Sequence, residues 1–124
     1  MIHHIRHRLH KHTISFKHAI EGVLWSFRTQ PNYLIHLTLS IISIVFGFIF
    51  GISKFDWLII IILISVGLAI ETINSSIEQT LDCVTLEKRE DVKIAKDAAA
   101  AAMLLFSVGA LICAIIIFWP YFNA

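Results

Sequence analysis

The run Glu71-Thr72-Ile73-Asn74-Ser75-Ser76-Ile77-Glu78-Gln79-Thr80-Leu81-Asp82 places three carboxylates and several amides and hydroxyls in a chain that is otherwise strongly apolar. On a helix, Glu71, Asn74, Glu78 and Asp82 fall within about 80° of one another. Carboxylates on one face suit a hard divalent cation, and Mg²⁺ prefers one or two of them plus nucleotide phosphate oxygens. The complement is Lys93, Lys96 and Asp97, a short distance further on. Lysines at the start of a helix neutralise phosphate charge, and the helix terminus adds its own positive end. Phosphoryl transfer needs a positioned metal, a neutralised phosphate and a base. The plainer reading is that the carboxylates mark a helix end and the lysines anchor it at a membrane surface. Asp82 fits either reading. Glu71 does not, because it lies ~16 Å deeper along the helix axis, where a carboxylate costs roughly 2.5–3.5 kcal/mol.

The elements that hold these residues follow from hydrophobicity. The chain has 124 residues, of which 57% are hydrophobic, and its mean hydropathy is +0.78. That much apolar surface cannot be hidden in one small soluble domain, and it comes in long runs. A membrane-crossing helix needs about 20 mostly apolar residues. Three segments qualify, at about 32–52, 57–82 and 92–119. Residues 14–29 carry Phe16, Ala19, Ile20, Val23, Leu24 and Phe27 at helical spacing and read as an amphipathic interfacial helix. Pro31 is expected to end or kink it, and Pro120 to stop the third span. Gly47 and Gly51 form a GxxxG pattern that favours close helix approach. The expected fold is therefore all-α and membrane-integral: three transmembrane helices preceded by an N-terminal amphipathic helix, in one domain covering 14–124.

Charge sets the expected orientation. Arg6, Arg8, Lys11, Lys17 and Arg28 precede the first span, and Lys88, Arg89, Lys93 and Lys96 lie between the second and third. The positive-inside rule places the N-terminus in the cytoplasm. Residues 1–13 form a basic, histidine-rich tail suited to anionic headgroups; His3 and His7 are also spaced to share a metal on a helix. The first 30 residues lack the pattern of a cleavable signal peptide. Cys83 and Cys113 differ too much in depth for a disulfide. There is no GxxxxGK[ST] phosphate loop and no zinc-finger spacing, and no nucleic-acid partner is expected.

The two polar motifs, Glu71 to Asp82 and Lys93-Ile94-Ala95-Lys96-Asp97, resemble those of the small prokaryotic diacylglycerol kinase and undecaprenol kinase family, over about residues 14–118. The resemblance implies a homotrimer in a prokaryotic plasma membrane, with active sites shared between subunits. It implies transfer of the γ-phosphate of MgATP to a lipid hydroxyl. It makes Glu78 the metal-binding glutamate and Glu71 the general base. Asn74, Lys93, Lys96, Asp97 and Asp82 become the residues around the nucleotide. Gln30 stands where the family usually has a second metal-binding glutamate; it offers a carbonyl oxygen without charge. Undecaprenol is expected ahead of diacylglycerol as substrate. The alternative from a different class is a non-catalytic, kinase-like scaffold with an impaired metal site, and Gln30 is the feature that favours it. A small channel or proton relay would use the same carboxylates but leaves Lys96 and Asp97 without a task.

Overall fold

A computed structural model describes the backbone from Ile2 onward and the side chains from Ser15 onward. It contains four helices in chain order: α1 (Ile2–Thr29), α2 (Pro31–Phe50), α3 (Lys54–Val84) and α4 (Glu90–Phe122). The three helices α2, α3 and α4 are long and apolar enough to cross a membrane. The paired His3 and His7 lie outside the described side chains.

Local chemistry sets most of the boundaries. Gln30 is extended, and Pro31 occupies the first turn of α2, where a missing N–H costs nothing. Gly51 closes α2 in the left-handed conformation, φ 61° and ψ 48°, which glycine adopts without a Cβ clash. The GxxxG expectation holds at Gly47, which lets α3 approach closely, and is corrected at Gly51. Gly51 is a helix cap, and Gly47 makes room for a side chain: a Cβ there would lie 2.7 Å from the Trp57 ring. Ser53 caps α3, its hydroxyl accepting the Asp56 N–H at 3.1 Å and donating to the Asp56 carboxylate at 2.7 Å.

Two boundaries differ from the sequence expectation. Helix α1 begins well before residue 14, so apolar periodicity marks only its amphipathic part. Pro120 lies inside α4 and does not stop it. It sits in the last turn, where one lost backbone hydrogen bond leaves little helix to disrupt. The Asn123 amide also satisfies the Trp119 carbonyl at 3.0 Å.

Helices α2, α3 and α4 form an antiparallel up-and-down arrangement in which α3 packs against both neighbours. At one end Ile52, Ile60, Ile117 and Phe118 make the apolar core, with Phe46, Phe50, Trp57 and Tyr121 around it. Midway, Gly67 faces the Phe106 ring, 2.7 Å from where a Cβ would stand. At the far end a salt bridge joins α3 to α4, Asp82 Oδ1 to Lys96 Nζ at 2.6 Å. These points fix the register of α3 on α4 and suspend the polar half of α3 between Gly67 and Asp82.

Candidate active site

The polar half of α3 is a buried seam. Glu71 is 1% exposed, Ser75 2% and Asn74 6%. The spacing explains this. Ile60, Gly67, Glu71, Asn74 and Ser75 recur along the inward side of one long helix. At the same level α4 buries only Ala99, within the small-residue run Ala98–Ala102, and Met103 just beyond it. Glu71 Oε2, Asn74 Oδ1 and Ser75 Oγ all lack a hydrogen-bond partner. Each such buried polar atom costs about 1–3 kcal/mol. Three of them lie close together on one helix, which makes this the most polar part of the buried surface.

Glu78 is half-buried, one further step toward the end of the same helix. Asp82 is exposed and reaches α4 through Lys96. Lys93 and Asp97 pair along α4 at 2.6 Å. The two lysines thus stand at the mouth of the seam, each already holding a carboxylate. Gln30 is half-buried at the α1–α2 junction, and its amide donates to Thr29 Oγ1 at 3.2 Å. Among the described residues no three His, Cys, Asp or Glu side chains converge as a ready-made metal centre. The structure thus brings Glu71, Asn74 and Glu78 onto one helix and ties Asp82 to Lys96. It shows no direct link between Gln30 and Glu78.

Three buried polar residues were not singled out from sequence. Ser75 follows Glu71 by one helical turn, and that spacing was the available signal. Ser26 is 1% exposed on α1 and donates to the Gly22 carbonyl at 3.0 Å. Together with Trp25 and Gly22 it lines a cleft against Thr72, Ser76 and Cys83 of α3. Tyr33, in the first turn of α2, is also buried. Nothing in the sequence separated it from an ordinary interfacial aromatic.

A profile of the prokaryotic diacylglycerol kinase family matches residues 17–118. The undecaprenol kinase of Bacillus subtilis (strain 168) is 35% identical over 93% of this chain and 94% of its own length. A diacylglycerol kinase of Pseudomonas aeruginosa is 30% identical over 71% of this chain and 72% of its own. A diacylglycerol kinase of Synechocystis sp. is 28% identical over 80% of this chain and 57% of its own. The match covers the first two spans, all but the last turn of the third, and both polar motifs, so the seam on α3 lies in a membrane lipid kinase, and the chain belongs to the prokaryotic diacylglycerol kinase family.

Proposed function

We propose that this lipid kinase transfers the γ-phosphate of ATP, with Mg²⁺, to the hydroxyl of undecaprenol in preference to diacylglycerol. The observation that carries the reading is Glu71, a carboxylate buried on a membrane helix with one oxygen unpartnered. Structure alone gives no reason to keep it there. As general base it accepts the proton of the lipid hydroxyl. The lipid oxygen then bonds to the γ-phosphorus as the bond to the β-phosphate oxygen breaks, and ADP departs. Asn74 offers an amide to the same space. Lys93 and Lys96 exchange their carboxylate partners for phosphate oxygens as the nucleotide arrives.

The donors suit Mg²⁺, since Glu78, Gln30 and the unpartnered Asn74 Oδ1 offer hard oxygen atoms. When bound, the ion would offset phosphate charge. Glu78 would be its main ligand from the protein and Gln30 at most a neutral one. The preference for undecaprenol rests on the likeness to the Bacillus subtilis enzyme.

The same reading makes the protein a homotrimer with shared sites, in the plasma membrane of a prokaryote, its N-terminus cytoplasmic. The charge asymmetry supports the orientation, and cysteines introduced at Arg6 and Ala124 test it by labelling from outside intact cells. Purified protein with labelled ATP and a panel of undecaprenol, diacylglycerol and ceramide tests the activity. Mg²⁺-dependent labelling, highest with undecaprenol, is the expected result. Labelling of none of the lipids overturns the reading, and a faster reaction with diacylglycerol overturns the preference.

A further inference from the structure

Helix hydroxyls in this protein follow one habit. Eight of them, from Ser26 on α1 to Thr80 on α3, donate to the carbonyl four residues earlier, at 2.7–3.0 Å. That local bond satisfies a hydroxyl where water is scarce. Ser75 does not take it. The residue is 2% exposed, and among the described residues its Oγ bonds neither the Glu71 carbonyl nor any other group. Ser76 and Ser107 also lack the local bond, but Ser76 is exposed and Ser107 half-buried. A buried hydroxyl without a partner costs stability, and alanine at this position would keep the helix without that loss. Packing therefore gives no reason for a serine at 75.

We infer that the Ser75 hydroxyl donates a hydrogen bond to the substrate oxygen that Glu71 deprotonates, and so is a second catalytic group acting on the nucleophile. The inference rests on the kinase reading above and deepens it by one residue. Ser75 follows Glu71 by one turn, and its Cα–Cβ bond tilts back toward that turn. Side chains four residues apart stand about 5–6 Å from each other at Cβ. Two O–H···O bonds of about 2.7 Å to one oxygen span such a gap. Glu71 Oε2 and Ser75 Oγ are both buried and unpartnered. An alcohol matches the pair, because its oxygen has one proton to give and lone pairs that accept. It gives the proton to Glu71 Oε2 and accepts from Ser75. Its oxygen then bonds to the γ-phosphorus as the bond to the β-phosphate oxygen breaks and ADP leaves. Ser75 keeps its own proton throughout. A carboxylate takes a proton but offers nothing to the oxygen left negative behind it; the serine supplies that donor.

Ser75→Ala in the purified full-length protein, assayed with MgATP and undecaprenol or diacylglycerol, tests the assignment. Loss of a donor to a developing charge should lower kcat about 10–100-fold. The KM for the lipid should stay within about threefold, since the bond strengthens only as the proton leaves. The melting temperature should hold or rise, because a buried hydroxyl without a partner is gone. A kcat loss of less than about tenfold overturns the inference. So does a lower melting temperature or a raised KM, because the hydroxyl would then be holding the fold, a neighbouring subunit or the lipid instead. Ser75→Cys covers an alanine variant that does not fold. It keeps a similar shape with a weak donor, and its kcat should fall to a similar degree; full turnover overturns the inference. If the unmutated protein phosphorylates neither lipid, the kinase reading itself has failed. If it does so and Ser75→Ala matches it, only the role of Ser75 has failed.

Discussion

The two ends of the helical bundle are built on opposite principles. At the Trp57 end, Phe46, Phe50, Phe118, Tyr121 and Phe122 lock α2 to α4. Phe50 stacks on Tyr121 at 5.5 Å and meets Phe122 edge-on at 5.1 Å, and Phe46 meets Phe118 edge-on at 6.1 Å. Such pairs contribute about 0.5–1.5 kcal/mol each beyond area burial. At the Glu71 end, the buried groups are a carboxylate, an amide and a hydroxyl with atoms that pair with nothing. One end holds the bundle together, and the other leaves polar atoms free at a cost to stability. Residues important to folding and residues important to catalysis should therefore separate along the membrane normal.

Exchanging a single residue at each end tests that separation. Glu71→Gln removes the proposed base but keeps the shape, and turnover should fall ~10²–10⁴-fold. Thermal stability should hold or improve, because a buried carboxylate without a full set of partners is replaced by a neutral amide. MgATP binding should remain. Turnover close to that of the unmutated protein would remove Glu71 from the mechanism. Phe118→Ala should do the reverse. Its ring is buried in the apolar core, and truncation should cost about 3–5 kcal/mol of stability. Turnover per folded molecule should not change. Denaturation curves alongside lipid phosphorylation assays check both, and a catalytic loss in Phe118→Ala would show that the ends are coupled.

Much of this division was legible in the sequence, and for physical reasons. Long apolar runs must be membrane helices, and a helical face bearing Glu71, Asn74 and Glu78 must be inward. Pro31 acted as expected, since a ring that fixes φ is read locally. Pro120 did not, because its effect depends on how much helix follows it. Gly51 looked like part of a packing motif until the left-handed turn gave it another task. The burial of Ser26 and Tyr33 depends on how α1 and α2 meet their neighbours, which no local pattern records. The placement of Gln30 relative to Glu78 is a question of the same kind.

Gln30→Glu addresses that question with a smaller effect. If Gln30 faces the ion that Glu78 holds, the added charge should lower the Mg²⁺ needed for half-maximal activity about fivefold, equivalent to ~1 kcal/mol. Glu78→Gln should abolish activity at any practical Mg²⁺, and the double mutant should show coupling between the positions. A Mg²⁺ titration unchanged by Gln30→Glu would place residue 30 away from the ion.

The smallest effect is expected at the Asp82–Lys96 bridge, where the polar end does contribute a tie between helices. The pair is short, 2.6 Å, but the side chains are 47% and 37% exposed. Solvent screening at such exposure limits an ion pair to about 0–1 kcal/mol. Asp82→Asn should therefore lower stability by no more than ~1 kcal/mol. The loss should shrink in ~1 M salt, where the screening length is about 3 Å. A double-mutant cycle with Lys96→Met, read by thermal denaturation at low and high salt, isolates the pairwise part. A coupling of ~2 kcal/mol or more, insensitive to salt, would mean that the bridge is shielded from solvent. The polar end would then hold α3 and α4 together as firmly as the aromatic end does, and binding of nucleotide phosphate by Lys96 would have to loosen that grip before transfer could begin.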